Sequence, residues 1–153
     1  LIASTVNTII GQRLVRRVAN RRDAYWSTPL ETQMIKETVG HLLPKTKEEV
    51  ANVSADLGYK DLPLAGQTAY TLVKGRDTPA TPHGYAGRAG IFEVMDVTEA
   101  IQNLIVKRAT SAEIQHKAIE QGMITMRQDG YLKALTGITT LEEVNRVTSA
   151  DTA

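Results

Sequence analysis

Residues 1–18 read LIASTVNTIIGQRLVRRV, and the fold turns on what this stretch is. Val6, Ile10, Leu14 and Val18 recur every four residues, with Ile2 and Ile9 beside them, which predicts a helix. Arg13, Arg16 and Arg17 then share one face near its C-terminal end, where cations complement the helix dipole. No capping residue precedes Leu1, and the first residue already belongs to the apolar run. That is the pattern expected of a chain cut inside a larger protein. Residues 1–22 carry five arginines and no acid, whereas the other 131 residues carry a net −4. A basic end on an acidic body suits nucleic-acid binding or a contact between subunits.

Working outward, residues 19–27 read as a connection. STPLETQ then opens a helix: Thr28 caps, Pro29 takes the first helical position, and Glu31 completes a capping box. Leu30, Met34, Ile35, Val39 and Leu42 form its stripe, and Pro44 stops it. TKEEVANVSADLG repeats the device with Thr46 and Glu49, a stripe of Val50, Val53 and Leu57, and Gly58 at the end. AYTLVK (69–74) and GIFEV (90–94) read as strands of one short two-stranded unit, joined by the loop GRDTPATPHGYAGRA. Four helices follow. Thr98, Thr110, Thr125 and Thr140 open them, the last three with Glu113, Gln128 and Glu143 at the box position. The tail TSADTA is expected to fray. The predicted fold class is mainly α (α+β), a multi-helix domain with a small two-stranded antiparallel unit.

With no cysteine, the 153-residue chain has neither disulfides nor thiolate metal sites. No apolar run approaches the ~20 residues of a membrane span. A phosphate-binding GxxxxGK[ST] is absent, and GYAGRAG (84–90) leads into a strand where a phosphate cradle would lead into a helix. The histidines at 41, 83 and 116 lack partners at ligand spacing. Asp129 and Glu93 are single carboxylates without a visible partner, so no acid–base pair is read. Trp26 reads as a packing anchor.

Three stretches carry a resemblance. They are QRLVRR (12–17), GYAGRAGIFE (84–93) and the run GMITMRQDG (122–130) to GITTLEEVNRVT (137–148). In this order they resemble the C-terminal region of the type II secretion / type IV pilus assembly ATPase family, over residues 1–22 and 84–148. The resemblance implies a parent protein whose nucleotide-binding core lies upstream, with ATP and Mg as its cofactors. It implies a cytoplasmic homo-hexamer at the inner face of the bacterial inner membrane, acting on a membrane platform protein, with no nucleic acid involved. It divides the chain into 1–22, continuing from the core; a helical insert, 23–76; a Gly/Pro-rich loop and strand, 77–97; a helical subdomain, 98–148; and a disordered tail, 149–153.

Relatives commonly hold a structural zinc with four cysteines. Their positions fall here on Ala19, Arg22, Asp77 and Ala80, so no zinc is expected. Structural zinc contributes ~10–16 kcal/mol in small finger peptides. Burial of Tyr25, Trp26, Tyr59 and Tyr70 in the insert is the expected substitute. The resemblance leaves this stretch of chain no catalytic residue of its own. It makes Arg13, Arg16, Arg17 and Arg88 the candidates for subunit contacts or for sensing nucleotide charge, since arginine's planar fork pairs with carboxylate or phosphate. Two other classes stay open: a basic-helix nucleic-acid-binding module and a non-catalytic adaptor.

Overall fold

The computed structural model describes residues 5–149. Among them are two antiparallel ribbons and six helices, an α+β fold. Strands β1 (Thr8–Val18) and β4 (Tyr85–Asp96) form the long ribbon, and β2 (Arg22–Trp26) and β3 (Thr71–Gly75) the short one. The helices are α1 (Pro29–Val39), α2 (Val50–Asp56), α3 (Glu99–Val106), α4 (Ser111–Glu120), α5 (Met126–Leu135) and α6 (Leu141–Thr148).

The opening stretch corrects its reading. Thr8–Val18 is a strand, not a helix. A recurrence of four is also two periods of a strand, so Ile10, Leu14 and Val18 fit either template. Thr8, Ile9, Ile10, Val15 and Val18 are β-branched, which favours the pleated form. Residues 1–4 of the expected helix, and 150–153 of the expected tail, lie outside the described residues.

Both predicted strands exist, but they do not pair with each other. Thr8 stands opposite Asp96, Ile10 opposite Val94, Gln12 opposite Phe92, Leu14 opposite Gly90 and Arg16 opposite Arg88. These five pairs alternate with the pairs whose Val15 and Ile91 enter the core, so they share the other face of the ribbon. Between Arg16 and Val18 the register slips, leaving Ala86 and Gly87 opposite Arg17. Gly87, at φ +77°, supplies the backbone this bulge needs. In the short ribbon Arg22 faces Gly75 and Trp26 faces Thr71.

Residues buried by the main core come from every part of the chain: Val15, Ile91, Ile35, Val39, Tyr70, Leu72, Tyr131, Leu132, Leu141 and Val144. At Gly130 a Cβ would stand 2.5 Å from Val144 Cγ1, so α5 and α6 approach as closely as they do because nothing projects there. A smaller cluster of Val97, Ile101 and Ala118 seats α3 and α4 at the other end. The helices of 98–148 thus divide between two clusters.

Capping follows the sequence except at Thr46 and, in part, at Thr140, whose box stays half formed because the Glu143 carboxylate pairs with Arg16 and Arg146. Thr28, Thr110 and Thr125 form complete boxes, and Thr98 and Thr140 accept from Ile101 and Glu143 N–H. Thr46 makes no cap: Glu49 reaches past it to Lys45 N–H, and a 3-10 turn over Lys47–Glu49 precedes α2.

The insert also departs from expectation. Tyr70 is buried and Tyr59 half-buried, but Tyr25 is 38% and Trp26 69% exposed, so Trp26 is no packing anchor. The insert's ends are joined by polar contacts and backbone instead. Ala19 N–H donates to Gly84 O and Arg76 N–H to Arg21 O. Arg76 pairs with Asp23 at 2.9 Å. A Cβ on Gly75 would lie 1.9 Å from Gly84 O, and one on Gly84 2.3 Å from Gly75 O. Two backbones cross here without side chains between them.

Candidate functional site

The densest charged constellation lies where β1, β4 and α6 meet. Thr140 caps α6, and Glu143, three residues on, is thereby aimed at β1. Its carboxylate has no exposed side-chain surface. It accepts from Arg16 backbone N–H at 3.0 Å, from Arg16 Nε at 2.5 Å and from Arg146 Nε at 2.5 Å. Burial pushes the Glu143 carboxyl up; hydrogen bonds from Arg146 and Arg16 outweigh that and hold it at about 2. The same contact raises Arg16 above its ordinary value. Arg16 also stacks on the Tyr85 ring, 4.3 Å from its centroid, and the Tyr85 and Thr140 hydroxyls stand 2.7 Å apart.

The four candidate arginines separate into two kinds. Arg13 and Arg16 are bonded within the fold: Arg13 Nη1 donates to Val147 O at 2.6 Å, near the C-terminal end of α6, and the half-exposed Arg16 pairs with Glu143. Arg17 and Arg88 are exposed. Arg17 rides on the bulge with its stem over Gly87, and Arg88 lies across the ribbon from Arg16. Sequence reasoning took Glu143 only as a capping residue. Its position on the face of α6 occupied by Val144 and Val147 was the signal that it points inward.

A second constellation centres on Asp129. Asp129 Oδ1 accepts from Tyr59 OH at 2.7 Å; Oδ2 accepts from Phe92 N–H at 2.9 Å and pairs with Lys133 Nζ at 2.6 Å. Burial, then the Asp129 contact, pushes the Tyr59 phenol up beyond its ordinary range. Lys133 lies over the rings of Tyr59 and Phe92. Asp129 therefore has a partner in Lys133, whose i, i+4 spacing was legible, though it is a cation and not the second carboxylate of an acid–base pair. Glu93 likewise has one: its carboxylate accepts from Met126 N–H, at the start of α5. Beside this hub a cleft of about 350 Å3 opens, lined by Leu57, Phe92, Val94, Asp96 and Met123 among others.

The four positions aligned with zinc cysteines hold a different arrangement. The Arg22 guanidinium donates to Ala19 O (3.0 Å), Val18 O (2.9 Å) and Gly137 O (2.5 Å). Asp77 accepts from His83 N–H, and Ala80 has no donor atom in its side chain. One carboxylate and one guanidinium do not fit a tetrahedral zinc. No group of three metal-ligating side chains occurs among the described residues.

Comparison with known proteins follows from this geometry. A family model described as Type II/IV secretion system protein matches residues 1–146. The type IV pilus assembly ATPase PilB of Pseudomonas aeruginosa is 34% identical over 147 residues, 96% of this chain and 22% of that protein. Type II secretion system protein E of Xanthomonas campestris is 34% identical over 150 residues, 97% of this chain and 22% of that protein. PilB of Myxococcus xanthus is 31% identical over 155 residues, 99% and 23% of the two chains. The chain spans less than a quarter of the length of these relatives.

Proposed function

Because the chain belongs to the Type II/IV secretion system protein family, we propose that it is the C-terminal part of a longer motor ATPase that drives pilin or pseudopilin assembly. The observation that carries this is the matched span itself: a family model over nearly the whole chain, with ATPases among relatives several times its length. In this reading ATP and Mg bind upstream, and the present residues are structural and inter-subunit. The parent is a cytoplasmic homo-hexamer at the inner membrane, working on a platform protein there. No helix among the described residues is long and apolar enough to cross a membrane.

The site supports a mechanical role. Glu143 and Asp129 are saturated by internal donors, so neither is a free base. Arg13 and Arg16 brace α6 against β1, which leaves Arg17 and Arg88 as the contacts for neighbouring subunits. The nucleic-acid alternative loses its support, because its basic helix is a strand and Arg13, Arg16 and Arg22 donate inside the protein. The test is hydrolysis. The protein extended upstream through a phosphate-binding loop turns over ATP, and the 153-residue chain does not. Turnover by the short chain above a buffer blank overturns the assignment of catalysis to the missing part.

This reading also dispenses with zinc, because the backbone bonds from Ala19 N–H to Gly84 O and from Arg76 N–H to Arg21 O join the segments that a metal would clamp. Metal analysis should find less than stoichiometric zinc, and a melt in chelator should match one without it. A large drop in chelator overturns the proposal.

A further inference from the structure

The cleft beside the Asp129 hub has walls that are already tied together. Tyr59 OH donates to Asp129 Oδ1 at 2.7 Å, which fixes the chain just after α2 against α5. Phe92 N–H donates to Oδ2 of the same carboxylate and fixes β4 to it. Thr98 Oγ1 donates to Gln121 Oε1 at 2.8 Å, joining the start of α3 to the turn after α4. A site whose walls are bonded beforehand loses little freedom on binding. Its volume of about 350 Å3 falls in the range of ligand sites.

The lining is apolar with an acidic rim. Leu57, Phe92, Val94, Met95 and Met123 line it, and Phe92 is 39% and Val94 48% exposed. Asp56, the last residue of α2, and Asp96, the last of β4, line it too. Both are exposed, and among the described residues neither side chain has a hydrogen bond or an ion pair. Asp129 is neutralised by Lys133, and no Lys, Arg or His among the described residues lines the cleft. Two uncompensated carboxylates beside apolar surface are the complement of a cation with an apolar body. The Phe92 ring already meets one cation, since Lys133 Nζ lies 5.4 Å from its centroid.

We propose that this cleft receives a segment of a partner protein in which arginine stands beside an aliphatic side chain. Arginine suits the rim and the floor together: its fork pairs with a carboxylate, its plane stacks on an aromatic ring, and its stem covers apolar surface. The aliphatic neighbour lies against Val94 and Met123. The contact needs only the described residues and no ATP site. It is read by binding and the motor assignment by hydrolysis, so either can fail without the other.

Titration of the 15N-labelled chain with the capped peptide Arg-Ser-Leu-Ser-Arg should shift the amide signals of Phe92, Val94 and Met123. The Kd should be about 100 µM and should weaken as salt rises. Serine in place of the peptide's leucine, or glutamate in place of both arginines, should weaken binding about tenfold or more. Asp56→Arg and Asp96→Arg should each weaken it about tenfold, and the double variant should prefer the glutamate peptide. Both positions are exposed, so the fold survives, as unshifted signals from Ile35 and Tyr131 in the core will report. No binding by the wild-type chain at about 1 mM peptide overturns the proposal. So does a single variant as tight as wild type, or a serine-centred peptide as tight as the leucine one. Agmatine bound as tightly as the peptide overturns it by making the cleft a small-cation site. Loss of binding in the protein extended upstream through a phosphate-binding loop also overturns it, because the rest of the subunit would then cover the cleft.

Discussion

Glu143 shows how much one buried carboxylate can govern. Its folded value of about 2 lies below the ordinary 4.5. The stabilisation it gives is therefore fully present above pH 4.5 and is lost as pH falls from there toward 2. The shift corresponds to about 3 kcal/mol. Glu143→Gln should cost a similar amount at neutral pH, because Arg16 and Arg146 are left facing a neutral group. It should also flatten the acid limb of an unfolding profile; an unchanged limb would mean another group controls it. Glycines offer a second contrast at this scale. Gly58 and Gly84 both sit at positive φ, +87° and +86°, but a Cβ on Gly58 meets nothing within 4 Å. Gly58→Ala should cost about 1–2 kcal/mol of backbone strain. Gly84→Ala adds a collision with Gly75 backbone and should cost distinctly more by urea denaturation.

Elements were legible where a residue signals locally and opaque where period alone decides. Thr110 with Glu113, and Thr125 with Gln128, announce helix starts because the capping box lies within four residues of chain. Thr110→Ala should lower stability by about 1 kcal/mol. Thr46→Ala should change it by less than about 0.5 kcal/mol, since Thr46 caps nothing in the folded chain. Thermal melts of the two variants separate these cases. Thr8–Val18 was misread because spacing by four satisfies both a helix and a strand, and the partner that decides, Tyr85–Asp96, lies some seventy residues away. The site divided in the same way. Arg13, Arg16, Arg17 and Arg88 could be picked from the resemblance, but which of them bond within the fold depends on Glu143 and Val147. Those sit on a helix whose docking no local pattern reveals. Helices α3 and α4, seated on only three fully buried side chains, should exchange backbone amides faster than α5, which is embedded in the main core.

For the whole molecule, the main core is assembled from both ends of the chain and from the insert between them. Arg22 is the point where these meet, bonded to β1 through Val18 O and to the end of α5 through Gly137 O. Arg22→Met keeps the stem and removes the donors. It should cost about 1–3 kcal/mol, with three part-buried carbonyls losing their donor. The crossing of Gly75 and Gly84 has a wider implication. The polypeptide departs at Ala19 and comes home at Gly84 within one hydrogen bond of where it left. Topologically, then, the intervening stretch is a cassette, and a splice from Ala19 to Gly84 would need no spacer. Energetically it is a roof, because Ile35, Val39 and Tyr70 sit in the same core as Tyr131 and Leu132. Excision should yield a continuous chain that binds hydrophobic dyes and melts without cooperativity. Exchange for a homologous cassette of matching shape should be tolerated.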